Sequence, residues 1–580
     1  MSYSELCKVF LAERGTVPEP DRLHKFFRAS WEHRLEENPE FATEFGYPGH
    51  NDRWTDLSPE TIARRKREVT DQLKVLQSID RSALNETDQL SYDLFARSLQ
   101  DANDGNRFPS ELLPISQMHG IQQDIPRLMG MMPIQTKAQI GDILARLEKI
   151  PELVDQTLAL LDEGLRQGIT PPRVTLSDVP DQVKAQAVKD VEMAPILSPI
   201  RKFDDSCAES SAEVKRSAKL CYLEKVVPAF ENLRRYLIGR YLPGCRSTTA
   251  WSEFPEGKDW YAYLVRHHTT TTLTPDEVHE IGLAEVTGIR REMESVIAQT
   301  GFKGDFASFC DWLRTDQRFF CATAAELVTK YREIAKRADP ELAKLFGRLP
   351  RLPYGVIPIP PHEEKSQTTG YYQPGSVKAG RAGYYFVNTY NLPSRPIWEM
   401  EALSLHEAVP GHHLQIALAQ EMAELPEFRR FSWITAYGEG WALYAESLGR
   451  EMGFYQDPFS RFGQLTYEMW RAIRLVVDPG MHAKGWSRQH AIDYFKANSS
   501  KSLHDIAVEI DRYLVWPGQA LAYKIGELRI TRLRKNAEKL LGERFDIRAF
   551  HDELLRYGCL PLDTLELQIG RWLEQQSAGA

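Results

Sequence analysis

The chain has 580 residues, 42% of them hydrophobic and 26% charged, an ordinary globular composition with material for a large core. Its net charge of -9, without a long basic block, excludes the concentrated Lys and Arg that a nucleic-acid site needs. Seven cysteines (Cys7, Cys207, Cys221, Cys245, Cys310, Cys321 and Cys559) are scattered, odd in number and free of any Cys-x-x-Cys. A reduced, cytoplasmic setting is therefore expected rather than a disulfide framework, and zinc held by thiolates is not.

Near the start, Glu5 and Lys8 stand where a signal peptide needs an apolar core, and no run of about eighteen apolar residues occurs anywhere. A soluble protein without an export signal or membrane partner is expected. Length alone suggests about three or four domain-sized units. From about 20 to 165, apolar residues recur at three- and four-residue spacing and predict helices. Pro171-Pro172 and the stretch Pro195 to Pro199 punctuate a looser region, and a long helix is predicted at about 211–241, ended by Pro243-Gly244. Thr274-Pro275-Asp276-Glu277 predicts a sharp helix start. Thr caps, Pro fits the first turn, and Glu reaches back to the cap amide, so the helix runs to about Thr300 and stops at Gly301.

The pattern changes between 349 and 395, where Tyr354–Pro360 and Gly383–Tyr390 read as strands with Gly and Pro between them. Helices resume at roughly 396–422, 427–452, 457–476, 487–498, 503–513, 517–540 and 561–575. No internal repeat appears. The expected fold is mostly α, a large helical fold enclosing a cleft, with a small β-sheet just before the helix that carries the motif described next. The expected division is a helical region 1–245 and a second region 246–580, interwoven across a weak boundary.

The most informative stretch is His406-Glu407-Ala408-Val409-Pro410-Gly411-His412-His413. It opens like the zinc-peptidase pattern His-Glu-x-x-His, in which two imidazoles four apart on one helix face share a metal and the Glu is the general base. Here position 410 is proline and the histidines arrive at 412 and 413. On a regular helix, residues six apart face roughly opposite sides, and seven residues rise by about 10 Å, so neither pair shares an ion on an undistorted helix. Pro410 cannot return a hydrogen bond to the His406 carbonyl, and Gly411 permits an unusual turn. A two-residue expansion restores His412 to the second ligand position, and a three-residue expansion restores His413. Glu439, in Tyr437-Gly438-Glu439-Gly440-Trp441, lies 33 residues after His406, enough for an antiparallel return that supplies a third ligand. Glu446, two turns further on, suits a carboxylate that orients a ligating histidine.

A lone His-Glu pair on a helix usually has no special role. Three histidines around a Pro-Gly break, followed by Gly-Glu-Gly-Trp, arise much less readily by chance, and the metal reading is preferred. His267-His268 and His279-Glu280 lack such a setting and are read as packing residues.

These residues resemble the large, mostly bacterial family known as domain of unknown function 885, grouped by similarity with the gluzincin metallopeptidases. The shared patterns are His406-Glu-x-x-Pro-Gly-His-His-Leu-Gln415, Gly438-Glu-Gly-Trp-Ala-Leu-Tyr444, Arg474-Leu-Val-Val-Asp478-Pro-Gly480-Met-His482 with Gly485-Trp486-Ser487, and Pro517-Gly518-Gln519-Ala520-Leu521-Ala522-Tyr523-Lys524. More distantly, the chain is similar to angiotensin-converting enzyme, thimet oligopeptidase and carboxypeptidase Taq type peptidases. In those helical metallopeptidases Gly-His and a hydrophobic pair lie in the zinc helix, and a ligand Glu lies on the next. That likeness implies a metallopeptidase-like fold and favours His412 over His413.

The expected activity is hydrolysis assisted by one zinc ion on His406, His412 and Glu439, with Glu407 as general base toward a peptide or other small amide. Tyr523 and His482 are candidates to donate to the developing oxyanion. Lys524 and Arg474 are candidates to hold a substrate carboxylate. Asn388 and Tyr390 would flank the cleft if the strand Gly383–Tyr390 lay at a sheet edge and paired with an extended peptide. Two other classes fit the sequence: a metal-dependent hydrolase of a non-peptide amide or ester, and a non-catalytic helical binding protein with a degenerate site. Retention of Glu407, which metal binding does not need, speaks against the second. A di-iron oxidase fits poorly, because Glu-x-x-His pairs on two helices are absent.

Overall fold

Helical periodicity becomes helix along most of the chain in the computed structural model, which describes residues 1–203, 208–361, 364–365 and 367–578. Cys207 lies outside the described residues. The six described cysteines are free thiols. Among the described residues no helix is long and apolar enough to cross a membrane.

The chain divides into two compact units. The first comprises Met1–Thr248 with the short returns Ser376–Arg381 and Pro426–Phe428. Its longest helix, Lys137–Gln167, starts at a capping box between Thr136 and Gln139 and lines one apolar cluster through Ile143, Leu147, Ile150 and Val154. The predicted helix at 211–241 forms within a continuous rod from Ala208 to Gly244, interrupted by π-turns at Tyr222–Val226 and Leu237–Tyr241. Each π-turn comes just before a proline, Pro228 or Pro243, which has no N–H to continue the ladder; the wider turn accommodates the missing donor.

The second unit comprises Thr249–Gly375, Ala382–Leu425 and Arg429–Ala580. Helix α1 (Pro275–Gln299) begins at the capping box read from Thr274 and Glu277. Helix α2 (Ala324–Ala338) precedes a three-stranded sheet of β1 (Tyr354–Pro358), β2 (Gly370–Gln373) and β3 (Gly383–Val387). The strand order is β1-β3-β2, with β1 parallel and β2 antiparallel to β3. This corrects the expectation of an edge strand at 383–390. Tyr385 pairs with Val356 on one side and Tyr372 on the other, so β3 is central. The sequence hid β2 because it spans only four residues within a Gly- and Pro-rich stretch.

Further helices follow, among them α3 (Met400–Glu407), α4 (His412–Glu421), α5 (Thr435–Ser447), α6 (Pro458–His482), α7 (Leu503–Val515) and α8 (Ala522–Leu541). The single helix expected at 396–422 is thus two, and a helix at Ile547–Leu555 was not anticipated. Helices α5 and α8 cross at Gly440 and Gly526. A Cβ on Gly440 would lie 2.5 Å from the Gly526 Cα, so only glycine allows the backbones to meet there.

Candidate metal centre

The break between α3 and α4 builds the centre. Pro410 follows a cis peptide bond with Val409, and Ala408 (φ -94°, ψ -113°) and Gly411 (φ -74°, ψ -128°) leave helical geometry. The detour is held from both directions. Trp441 on α5 donates its indole N–H to the Pro410 carbonyl at 2.9 Å, and the His413 amide donates to the Ala408 carbonyl at 3.1 Å. The consequence is that the His406 and His412 rings meet with centroids 4.8 Å apart at 86°.

Glu439 on α5 completes a trio: one ligand atom from each of His406, His412 and Glu439 lies within 4.8 Å of the others. Glu439 Oε2 is 3.3 Å from His412 Nε2 and 3.6 Å from His406 Nε2. That oxygen is buried and makes no hydrogen bond. Burial alone would raise the Glu439 carboxyl, but the His412 and His406 rings hold it well below the usual carboxylate range. Two imidazole nitrogens and a carboxylate oxygen that is itself an unsatisfied buried acceptor make a donor set that fits a divalent ion such as zinc. Glu446 accepts from His406 Nδ1 at 2.8 Å and is itself held by Arg471 Nη2 at 3.3 Å, which leaves His406 Nε2 for the trio. Glu407 sits beside the trio rather than in it. Burial, with the nearby Glu439 charge, raises its carboxyl to about 7 against the pull of His412, Arg471 and the Tyr372 backbone amide.

The remaining candidates divide. Tyr523, at the start of α8, lies with its ring nearly parallel to that of His406, centroids 6.3 Å apart. Its hydroxyl accepts from Arg512 Nη2 at 3.2 Å. His413, the alternative ligand, is turned away. Its Nδ1 pairs with the Tyr372 hydroxyl at 2.8 Å, its ring packs on Tyr354, and burial lowers it to about 4. His482 is fully buried, accepting from the Trp251 amide and donating from Nε2 to the Tyr513 carbonyl; it braces the end of α7 and is no oxyanion donor. Lys524 is also buried, amid Glu285, Glu468 and Glu527 at 3.2, 3.0 and 3.0 Å, so its carboxylate partners come from the chain itself. Arg474 pairs with Glu509 at 3.0 Å and lies 4.4 Å over the Tyr523 ring; it supports that ring rather than holding a substrate. Asn388 is fully buried, its amide donating to the carbonyls of Glu364, Gln367 and Thr368 and its oxygen accepting from the Tyr390 amide, so it locks a loop. Tyr390 stands exposed on that loop, and the structure does not bring it to the trio.

Sequence reasoning missed Arg471, Arg512 and Trp441. Arg471 is one turn from Arg474 on α6, and Arg512 is three residues after Glu509, to which it is paired at 3.2 Å; that helical spacing was the available signal. Trp441 belonged to a quoted motif, but its bond to Pro410 spans 31 residues and left no local trace. The motif residue Asp478 proves architectural: it accepts from Tyr261 and from the Gly518 amide, fixing the turn between α7 and α8.

The family described as "Bacterial protein of unknown function (DUF885)" matches residues 39–569. None of the curated proteins matches the chain. Among solved structures, a protein of Colwellia psychrerythraea described as a "putative lipoprotein" is similar at 27% identity with a TM-score of 0.90, covering 96% of this chain and 100% of its own. A Shewanella oneidensis protein described as a "putative lipoprotein of unknown function" shares the fold at 16% identity with a TM-score of 0.71, covering 94% of this chain and 99% of its own.

Proposed function

The chain belongs to the DUF885 family, and from that premise we propose that it is a zinc-dependent hydrolase that cleaves peptide bonds. His406, His412 and Glu439 would hold the ion. Zinc on such a donor set supplies Lewis-acid polarisation of a carbonyl and acidification of a water.

The chain's own groups do the rest. Glu446 fixes the His406 tautomer, with Nδ1–H donating to Oε1, and Arg471 keeps that carboxylate in place. Glu407 takes a proton from the attacking water and passes it to the leaving amine. The Tyr372 amide on β2 holds the Glu407 carboxylate. Arg512 donates into the Tyr523 oxygen, which leaves the phenolic proton for the charge that develops on the substrate oxygen.

The observation that carries this reading is the trio itself: ligand atoms of His406, His412 and Glu439 lie within 4.8 Å of one another, with the buried Glu407 beside them and not among the donors. The test is metal analysis of the purified protein together with a peptide-library assay of wild type and Glu407→Gln. Stoichiometric zinc in both, with cleavage lost in the variant, supports the proposal. A wild-type protein that takes up no zinc overturns it.

A further inference from the structure

The chain has twelve tryptophans, and among the described residues one stands apart by its exposure: Trp433 is 46% exposed, while the others are buried or half-buried. An exposed indole is unremarkable on an open surface, but this one stands beside the donor cluster. Its ring centroid is 5.7 Å from that of His412, at an interplanar angle of 57°. It also lies directly on Gly438, the residue before Glu439: a Cβ there would come within 2.3 Å of Trp433 Cη2. The glycine therefore makes room for the ring. The Ile434 carbonyl next to it accepts from the Tyr437 and Gly438 amides at 3.0 and 2.9 Å, which ties the segment to the first turn of α5. The indole is thus backed by a donor residue and a helix and open to solvent elsewhere. A rigid aromatic surface of this kind binds apolar groups with little ordering cost.

We propose that Trp433 forms one wall of a substrate subsite beside the metal donors and selects peptides with a bulky apolar side chain, such as Phe or Leu, next to the scissile bond. The inference rests on the hydrolase reading of the same site and names its substrate class. A tryptophan that only covered Gly438 would have no bearing on which side chain a substrate carries.

The test uses full-length, zinc-loaded protein and matched peptides that differ only in Phe, Leu or Ala beside the cleaved bond. Turnover is measured in wild type, Trp433→Phe and Trp433→Ala. Binding of the uncleaved peptides is measured by calorimetry in the Glu407→Gln background of each. Wild type should prefer Phe over Ala by at least about tenfold in kcat/KM and in affinity, on the scale expected of apolar pockets. Trp433→Phe should keep most of that ratio, and Trp433→Ala should bring it to within about threefold with zinc content unchanged. Absence of the preference in wild type, or its survival in Trp433→Ala, overturns the inference. Peptides that bind with a Trp433-dependent ratio but are not cleaved by wild type sink the hydrolase reading and leave the subsite standing. Peptides that do not bind at all overturn both.

Discussion

Replacing Glu446 by Gln isolates the support behind the first candidate ligand. Glu446 is fully buried, 2.8 Å from His406 Nδ1 and 3.3 Å from Arg471 Nη2. Gln keeps the size and one accepting oxygen but removes the charge. A hydrogen bond to a charged group contributes about 1.5–3 kcal/mol and a neutral one about 1, so His406 loses about 0.5–2 kcal/mol of orientation. Zinc affinity should fall about 10–100-fold, the usual scale for a carboxylate behind a metal-binding histidine. Arg471 is meanwhile left without a counter-charge, and breaking a buried pair costs about 3–5 kcal/mol, which bounds the loss of folding stability in the metal-free protein. Zinc competition against a chromophoric chelator reads the first effect, and urea unfolding of the metal-free protein reads the second. The double variant Glu446→Gln/Arg471→Gln should recover stability without recovering affinity, because the stranded charge is gone but His406 is still poorly held. Zinc affinity within about twofold of wild type in the single variant would refute the reasoning, since a 1 kcal/mol effect is already about fivefold.

Three further outcomes follow from the geometry. His412→Ala should lose zinc, whereas His413→Ala should keep it and instead destabilise the fold by about 1–3 kcal/mol as the buried ring and its bond to the Tyr372 hydroxyl are lost; metal analysis beside urea unfolding separates the two. Lys524→Met should destabilise by about 3–5 kcal/mol, leaving three carboxylates uncompensated, yet change KM equally for free-acid and C-terminally amidated peptides; a selective loss on the free acid would return Lys524 to the substrate. Burial raises the Asp478 carboxyl to about 7, with Tyr261 and the Gly518 amide pulling the other way. The folded state thus keeps a proton that the unfolded chain releases near the ordinary Asp value of about 4, and this contribution to stability, full below about pH 4, is lost as the pH rises through about 7. Asn at 478 retains an acceptor without the titration, so the stability of Asp478→Asn relative to wild type should rise by as much as ~3 kcal/mol between about pH 5 and about pH 8, read from urea midpoints.

What could be read from the sequence was what local chemistry determines. The Thr274–Glu277 cap is satisfied within one turn, so its residues announce it. The split of one helix into α3 and α4 follows from a proline that has no N–H for the His406 carbonyl. Partners distant in the chain were not legible. Nothing around Lys524 reveals the carboxylates of Glu285 and Glu468, and nothing around Asn388 reveals the three carbonyls that occupy its amide. A polar side chain in a suggestive motif looks available until the fold shows what already holds it. The choice between His412 and His413 was open for the same reason: both spacings were possible, and the Tyr372 hydroxyl that takes His413 comes from the strand the sequence concealed.

The detour at Val409-Pro410 separates donor position from chain length. Without those two residues, the remaining sequence would read His406-Glu407-Ala408-Gly411-His412, the standard five-residue pattern on an uninterrupted helix. A search keyed to fixed spacing passes over this chain, although its donors converge as that pattern's would. Donor clusters of this kind are better sought by asking where a helix breaks between candidate ligands, and which residue across the fold, as Trp441 does here, pins the break.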